Sequence, residues 1–265
     1  REVLLSIAPH IVWPLEFVLP HERHLRPAWM IRAGLFLYDH LGVRAFGLGE
    51  RRSSLPKSRG VKLAADGYGA GLKPEFETGF VYFDCWVDDA RLVVLNARSA
   101  AQRGATILTH TRCTGARRES GLWVVDLQPA GDTALDHGGA TRSVTARALV
   151  NATGPWVKSV LDHELALASP GKVRLVKGSH IVVPRIHDKR HAYILQNPDR
   201  RIVFLIPYER EFTLVGTTDV PVSGSDVRPE ISTAAVAYLC EAASRYTGRA
   251  LTPEAVVWSY SGVRP

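Results

Sequence analysis

Apolar and polar positions change period several times along the chain, and the changes divide it into elements. Residues 1 to 8 read as the tail of a helix ended by Pro9. His10 to Pro20 alternates loosely around Pro14, which predicts an extended but broken segment. From Pro27 to Leu41 the spacing turns helical, with Trp29, Met30, Ala33, Phe36, Leu37, Tyr38 and Leu41 forming an apolar face wider than one stripe. Pro27 suits the first turn of that helix and Gly42 its stop. Such a face is expected in a core; the alternative is a surface that meets a membrane or another subunit.

Residues 43 to 79, rich in Gly, Arg, Ser and Lys, read as a long connection with one short element at most. A strand is predicted from Gly79 to Val87, then a helix from Asp89 to Arg103 with Asp88 as its cap and Gly104 at its end. Asp88 and Asp89 read as a cap and a dipole partner at a helix start, with paired carboxylates for acid–base work as the alternative. Ala105 to Arg118 predicts a strand pair or one long bent strand, Gly121 to Gln128 a strand, Ala130 to Ala140 a surface turn, and Arg142 to Asn151 a further strand. The order of these elements suits an open α/β sheet carrying an inserted three-stranded piece.

Beyond a helix from Pro155 to about Leu161 the character changes. Val173–Lys177, Ser179–Val183, Ala192–Gln196, Ile202–Pro207 and Phe212–Gly216 are short strand candidates at about ten-residue intervals, the spacing of an antiparallel sheet. A helix from Thr233 to about Tyr246 and a strand from Val256 to Tyr260 follow. The expected division is residues 1–164, with a helical and loop insertion at 20–78, and residues 165–265.

Composition narrows the classes. Hydrophobic residues at 46% and charged at 22% are ordinary globular values. A net charge of +7 points to an anionic partner. The basic residues are scattered, with no basic stripe interleaved with aromatics, so nucleic acid is not the expected partner. Three cysteines, Cys85, Cys113 and Cys240, form neither a CxxC pair nor a zinc site and fit a reducing compartment. No apolar run approaches the roughly 20 residues of a membrane span.

Candidate chemistry gathers at a few places. Ala148–Val150 followed by Asn151-Ala152-Thr153-Gly154-Pro155-Trp156 reads as strand, turn and helix start, where small residues admit a close approach and helix N–H groups favour an anion; an ordinary tight connection is the alternative. Arg264, after Ser261-Gly262-Val263, offers a planar fork to a carboxylate or phosphate. His180, after Lys177-Gly178-Ser179, is either a base or a hydrogen-bonded core histidine. Thr217 and Thr218, beside Asp219, either form a capping turn or line a pocket. His187 and His191 flank a segment read as a hairpin turn, and no metal site is expected there or elsewhere.

Six blocks in one order carry a resemblance: His24 to Arg32, Phe83 to Val93, Val150 to Trp156, Lys177 to Pro184, Gly216 to Asp219, and Ser261 to Pro265. Together they resemble the FAD-dependent glycerol-3-phosphate dehydrogenases, the respiratory quinone-linked enzymes and their oxidase relatives. The resemblance implies a partial two-dinucleotide-type, Rossmann-like FAD-binding domain joined to an antiparallel-sheet substrate domain. It implies oxidation of sn-glycerol 3-phosphate to dihydroxyacetone phosphate with electrons passed to quinone. On it, Arg264 and His180 serve the reaction, and Arg264, Thr217 and Thr218 meet the substrate. Ala152, Thr153, Gly154, Pro155 and Trp156 pack on FAD, and Cys113 matches a small residue whose backbone faces adenine. It also implies a cytoplasmic protein peripheral on the inner face of the cytoplasmic membrane, at an anionic surface, and leaves room for a homodimer.

No G-x-G-x-x-G follows any strand, so the pyrophosphate cradle of such a site is missing from this sequence. Both ends read as cut, and the expectation is that these residues alone hold FAD weakly and do not turn over. The alternatives are an oxidase that gives electrons to oxygen, and a non-catalytic truncated module.

Overall fold

The computed structural model describes residues 1–44, 55–130, 140–167, 171–222 and 229–265. The expected surface turn of residues 131–139 and residues 45–54 of the long connection lie outside them. Contacts divide the chain into two compact units: Arg1–Leu92, Lys177–Val220 and Arg228–Gly262 make the first, and Val93–Val176, with Val263–Pro265 and a short piece after Val220, the second.

The first unit is built on a nine-stranded sheet. Its members are β1 (Val12–Pro20), β2 (Arg59–Lys62), β3 (Thr78–Val87), β7 (Leu175–Pro184), β8 (Ala192–Gln196), β9 (Ile202–Tyr208), β10 (Phe212–Gly216), β11 (Val220–Val222) and β12 (Trp258–Arg264). The order is β11-β7-β10-β9-β8-β1-β3-β2, with β12 also on β7. All the registered pairs are antiparallel except β1 with β8.

Alternation gives the sheet two apolar faces. Val18, Val81, Ile181, Val183, Tyr193, Leu195, Val203, Leu205 and Val215 point to one, where α5 (Thr233–Tyr246) lays Leu239, Ala242, Ala243 and Tyr246 over them. Ser232 caps α5, its hydroxyl accepting from Ala235 N–H at 3.2 Å. Leu15, Phe17, Leu19, Phe80 and Ile194 point to the other face, where Ile31 and Leu35 of α2 (Ala28–Arg44) pack. The short α1 (Glu2–Ile7) precedes β1.

Five expectations for this unit change. First, β1 is continuous, and Pro14 does not break it. Asp88 N–H donates to Ile11 carbonyl and His21 N–H to Thr78 carbonyl, so odd positions of β1 face β3. Pro14 and Pro20 therefore lack an N–H only on the opposite side, where β8 pairs with no more than Phe17 and Val18. Second, α2 runs through Gly42 to Arg44, because one interior glycine costs a helix only about 1 kcal/mol.

Third, the wide apolar face of α2 is not core. Trp29 is 70% exposed, and Met30, Phe36 and Leu37 are exposed with it; at 100° per residue these four share one side, while Ile31 and Leu35 lie on the other. Fourth, residues 185–191 are not a hairpin turn. β10 and β9 lie between β7 and β8, so the segment crosses over two strands. Fifth, the two expected strands before Pro184 are one, β7, continuous through Gly178.

The second unit carries most of α3 (Asp89–Gln102) and a three-stranded antiparallel sheet of β4 (Thr111–Glu119), β5 (Leu122–Pro129) and β6 (Arg142–Ala146). Asp88 caps α3, its carboxylate accepting from Arg91 N–H at 3.1 Å, which settles the two aspartates as a helix start. Ala116, Val125 and Leu165 form a small core, joined by Cys113, Leu149, Val160 and Leu161. Ala148–Val150 is not in a strand: the ladder of β6 ends at Ala146, and Val150 is 83% exposed, with no neighbouring strand to complete its hydrogen bonds among the described residues. A 3₁₀ turn at Gly154–Trp156, one turn of α4 (Val157–Ser159) and a π turn at Val160–Glu164 follow.

Candidate active site

In the first unit the structure brings His180, Thr217 and Thr218 together. His180 sits on β7 directly opposite Gly216 of β10. Ile181 and Val183 point toward α5, so His180 stands on the reverse face of the sheet. Its ring lies over the backbone of Gly216: a Cβ built there would overlap Cδ2 and Cγ and come within 2.7 Å of Nε2. Tyr260 of β12 covers the other side, with ring centroids 4.9 Å apart and planes 10° from parallel. Nδ1 is fully enclosed and has no hydrogen-bond partner among the described residues. The hydrogen-bonded core histidine is thus not what the structure contains. Burial holds the imidazole below its ordinary pKa, so the ring is neutral at neutral pH.

The turn after β10 is tied to β7. Thr218 is 2% exposed; its hydroxyl accepts from Ser179 N–H at 3.0 Å, and its own N–H donates to Ser179 carbonyl at 3.3 Å. These bonds make Thr218 a fastener between strands. Thr217 is half-buried, and its hydroxyl donates to Thr218 carbonyl at 3.0 Å. Ser179 and Ser261 hydroxyls meet at 2.7 Å, and Val257 N–H donates to Val182 carbonyl, so the Lys177–Pro184 and Ser261–Pro265 blocks lie along paired strands. Arg264 is the last residue of β12, exposed, and groups by its contacts with the second unit.

In the second unit Asn151 shapes the turn. Its Oδ1 accepts from Thr153 N–H at 3.3 Å and from the Thr153 hydroxyl at 2.7 Å, and its Nδ2 donates to Val157 carbonyl at 3.0 Å. Gly154 has φ +56°, and a Cβ there would meet nothing within 4 Å, so the turn presents open backbone. Ala152, Thr153 and Trp156 are exposed around it, and Pro155 is half-buried in the first turn of the helix. Cys113 lies where β4 shifts register against β5, its side chain packed on the small core of this unit and its Sγ 3.6 Å from Gly115 carbonyl. Among the described residues no group of three metal-ligating side chains occurs.

Sequence reasoning passed over Tyr260, Gly216 and Asn151 as functional positions. A glycine inside a strand pattern signals close approach of another group, so Gly216 carried a legible mark. The stacking of Tyr260 on His180 depends on strand order and had none.

The FAD dependent oxidoreductase (DAO) family model matches residues 1–265. The chain is 51% identical over its whole length to the aerobic glycerol-3-phosphate dehydrogenase of Escherichia coli K12, covering 50% of that protein. It is 48% identical over its whole length to the D-erythritol 1-phosphate dehydrogenase of Brucella abortus, again covering 50%. The glycerol-3-phosphate dehydrogenase of Bacillus halodurans, solved with FAD, superposes with a TM-score of 0.69 at 24% identity over 100% of this chain and 46% of that one, a likeness of fold. The chain spans about half the length of the relatives it matches.

Proposed function

The chain belongs to the FAD dependent oxidoreductase family, and from that premise we propose that the protein it forms oxidises sn-glycerol 3-phosphate to dihydroxyacetone phosphate. The observation that carries the reading is the whole-length identity of 51% to a glycerol-3-phosphate dehydrogenase, beside the pairing of β7 with β12 that stacks Tyr260 on His180.

The residues present fit one side of an FAD site. The open backbone at Gly154 admits a flat or anionic group, and Ala152, Thr153, Gly154, Pro155 and Trp156, with the Cys113 backbone, would hold it. When bound, FAD supplies the acceptor for the hydride leaving the alcohol carbon. His180 takes the hydroxyl proton; its neutral ring is in the state a base requires. Arg264 receives the phosphate with its planar fork. Thr217 borders the substrate, and Thr218 holds the turn on which Thr217 sits.

Electrons pass on to quinone in this reading, at an anionic membrane surface on the cytoplasmic side, with oxygen as the competing acceptor. Its support is the exposed apolar side of α2 together with the net charge of +7. Among the described residues no helix is long and apolar enough to cross a membrane. A homodimer through the same side of α2 is the alternative use of that surface.

A second substrate reading rests on the Brucella abortus relative: a four-carbon polyol phosphate offers an alcohol and a phosphate to the same groups. Steady-state turnover of the FAD-loaded holoenzyme on sn-glycerol 3-phosphate and D-erythritol 1-phosphate, with a soluble quinone analogue or oxygen alone, decides between them. The proposal expects a higher kcat/KM for sn-glycerol 3-phosphate with the quinone analogue. A preference for D-erythritol 1-phosphate selects the second reading, and turnover of neither overturns both.

A further inference from the structure

His180 is held in an unusual way for a polar side chain. Among the described residues it has no hydrogen bond to fix its ring: Nδ1 is enclosed and unpartnered. A histidine serving as a base ordinarily takes its orientation from a hydrogen bond at its second nitrogen. Here flat surfaces replace that bond. The Gly216 backbone forms the floor, since any side chain there would overlap the ring. The Tyr260 ring, 4.9 Å away and 10° from parallel, forms the roof.

The roof is itself held in place. Trp258 lies against Tyr260 with centroids 5.4 Å apart. The hydroxyls of Ser179 and Ser261, each one residue from the stacked pair, meet at 2.7 Å and fix how β7 and β12 are aligned. Tyr260 remains 39% exposed, so its area burial is modest.

We propose that Tyr260 and Gly216 are positioning residues that clamp the imidazole of His180 between two flat surfaces and so aim it at the substrate hydroxyl. The inference rests on the reading of His180 as the base given above. The clamp acts through shape, and the Tyr260 hydroxyl plays no part in it. It also excludes water from one side of the ring, which agrees with burial being the cause that lowers the pKa of His180. The charged and titratable groups around the stack act on Tyr260: Asp89 and Tyr208 raise its pKa beyond the effect of burial, so it stays a neutral phenol.

The test compares Tyr260→Phe, Tyr260→Leu and Gly216→Ala with the wild type as FAD-loaded holoenzymes, reading kcat, KM, the pH profile of kcat/KM and flavin content. The Phe variant keeps the flat face and should stay within about twofold of wild type in every parameter. The Leu variant fills similar space without the flat face, so kcat should fall by about 10- to 100-fold while KM and flavin content hold. Its acid limb should move to higher pH as water reaches the ring. The Ala variant should lose kcat in the same way.

Loss in Phe equal to that in Leu would overturn the clamp in favour of a role for the hydroxyl, and unchanged kcat and pH profile in Leu would overturn it outright. If a variant loses flavin, the NMR titration of His180 in the Phe and wild-type proteins still decides, because the clamp requires the two curves to coincide. Full activity in His180→Gln removes the underlying reading. An inactive His180→Gln beside a silent Tyr260→Leu removes the clamp alone.

Discussion

His187 and His191 stack on each other inside the first unit, ring centroids 4.9 Å apart and planes 19° from parallel, under the edge of Tyr193. Neither carries a charge at neutral pH. Burial, the largest cause, pushes both down to about 4, with Lys189 adding to the effect on each, His191 and Arg185 also acting on His187, and Asp188 opposing.

The sign of the resulting pH dependence follows from these directions. An unfolded histidine titrates near pH 6.5, so below that value the unfolded chain binds protons the folded pair refuses. Stability should be constant above about pH 6.5 and fall as pH drops toward 4, by up to a few kcal/mol for the pair. Thermal unfolding at pH 7.5, 6 and 5 measures it, and His191→Phe should flatten the slope. A midpoint that does not move between pH 7 and 5 would remove the pair as an acid-sensitive element.

Tyr193 is fully buried, and its hydroxyl hydrogen is shared between the carbonyls of Tyr68, at 2.6 Å, and Ala70, at 2.8 Å. Tyr193→Phe leaves both carbonyls without that donor and should cost about 1–3 kcal/mol. Urea unfolding monitors it, with an unchanged slope and a lower midpoint expected. An unchanged midpoint would mean that the loop between β2 and β3 finds other partners.

The helix caps give a smaller effect. Ser232→Ala removes the acceptor for Ala235 N–H at the start of α5 and should lower stability by about 1 kcal/mol. Ser232→Asp should restore it, since an acidic cap also suits the helix dipole. Failure of Asp to recover the loss would assign the effect to something other than capping.

The exposed side of α2 makes a separate prediction. Trp29→Ser combined with Phe36→Ser removes aromatic area without touching Ile31 or Leu35, so the fold should stand. Co-sedimentation with vesicles containing anionic lipid should drop by about tenfold or more. Equal sedimentation of variant and wild type would move this surface from lipid to another use.

Much of the architecture was legible because it follows from local pattern. The cap at Asp88 marks a helix start, and the ten-residue rhythm after residue 170 marks an antiparallel sheet. What failed depended on neighbours. Pro14 looked like a break because only the register against β3 reveals that its missing N–H faces away. The aromatic face of α2 looked like core because periodicity says which residues share a side and nothing about which side meets the sheet. Ala148–Val150 has strand composition, yet a strand exists only where another pairs with it. At the candidate site, the blocks of residues singled out Arg264, His180 and the turn at Gly154 as candidates, while the stack of Tyr260 on His180 was not legible, since it joins positions 80 residues apart through sheet order.

The central claim is that a phosphorylated secondary alcohol delivers its hydride at this site with Arg264 on the phosphate. Anaerobic stopped-flow mixing of the FAD-loaded holoenzyme with sn-glycerol 3-phosphate, read as bleaching of the flavin's visible absorbance, tests it most directly. The account predicts rapid bleaching by sn-glycerol 3-phosphate and none by glycerol. It further predicts that Arg264→Ala slows bleaching at low substrate by about 10- to 100-fold, a loss of one charge-assisted contact, at unchanged flavin content. An oxidised flavin that persists in the presence of sn-glycerol 3-phosphate, or bleaching that Arg264→Ala leaves untouched, would contradict it.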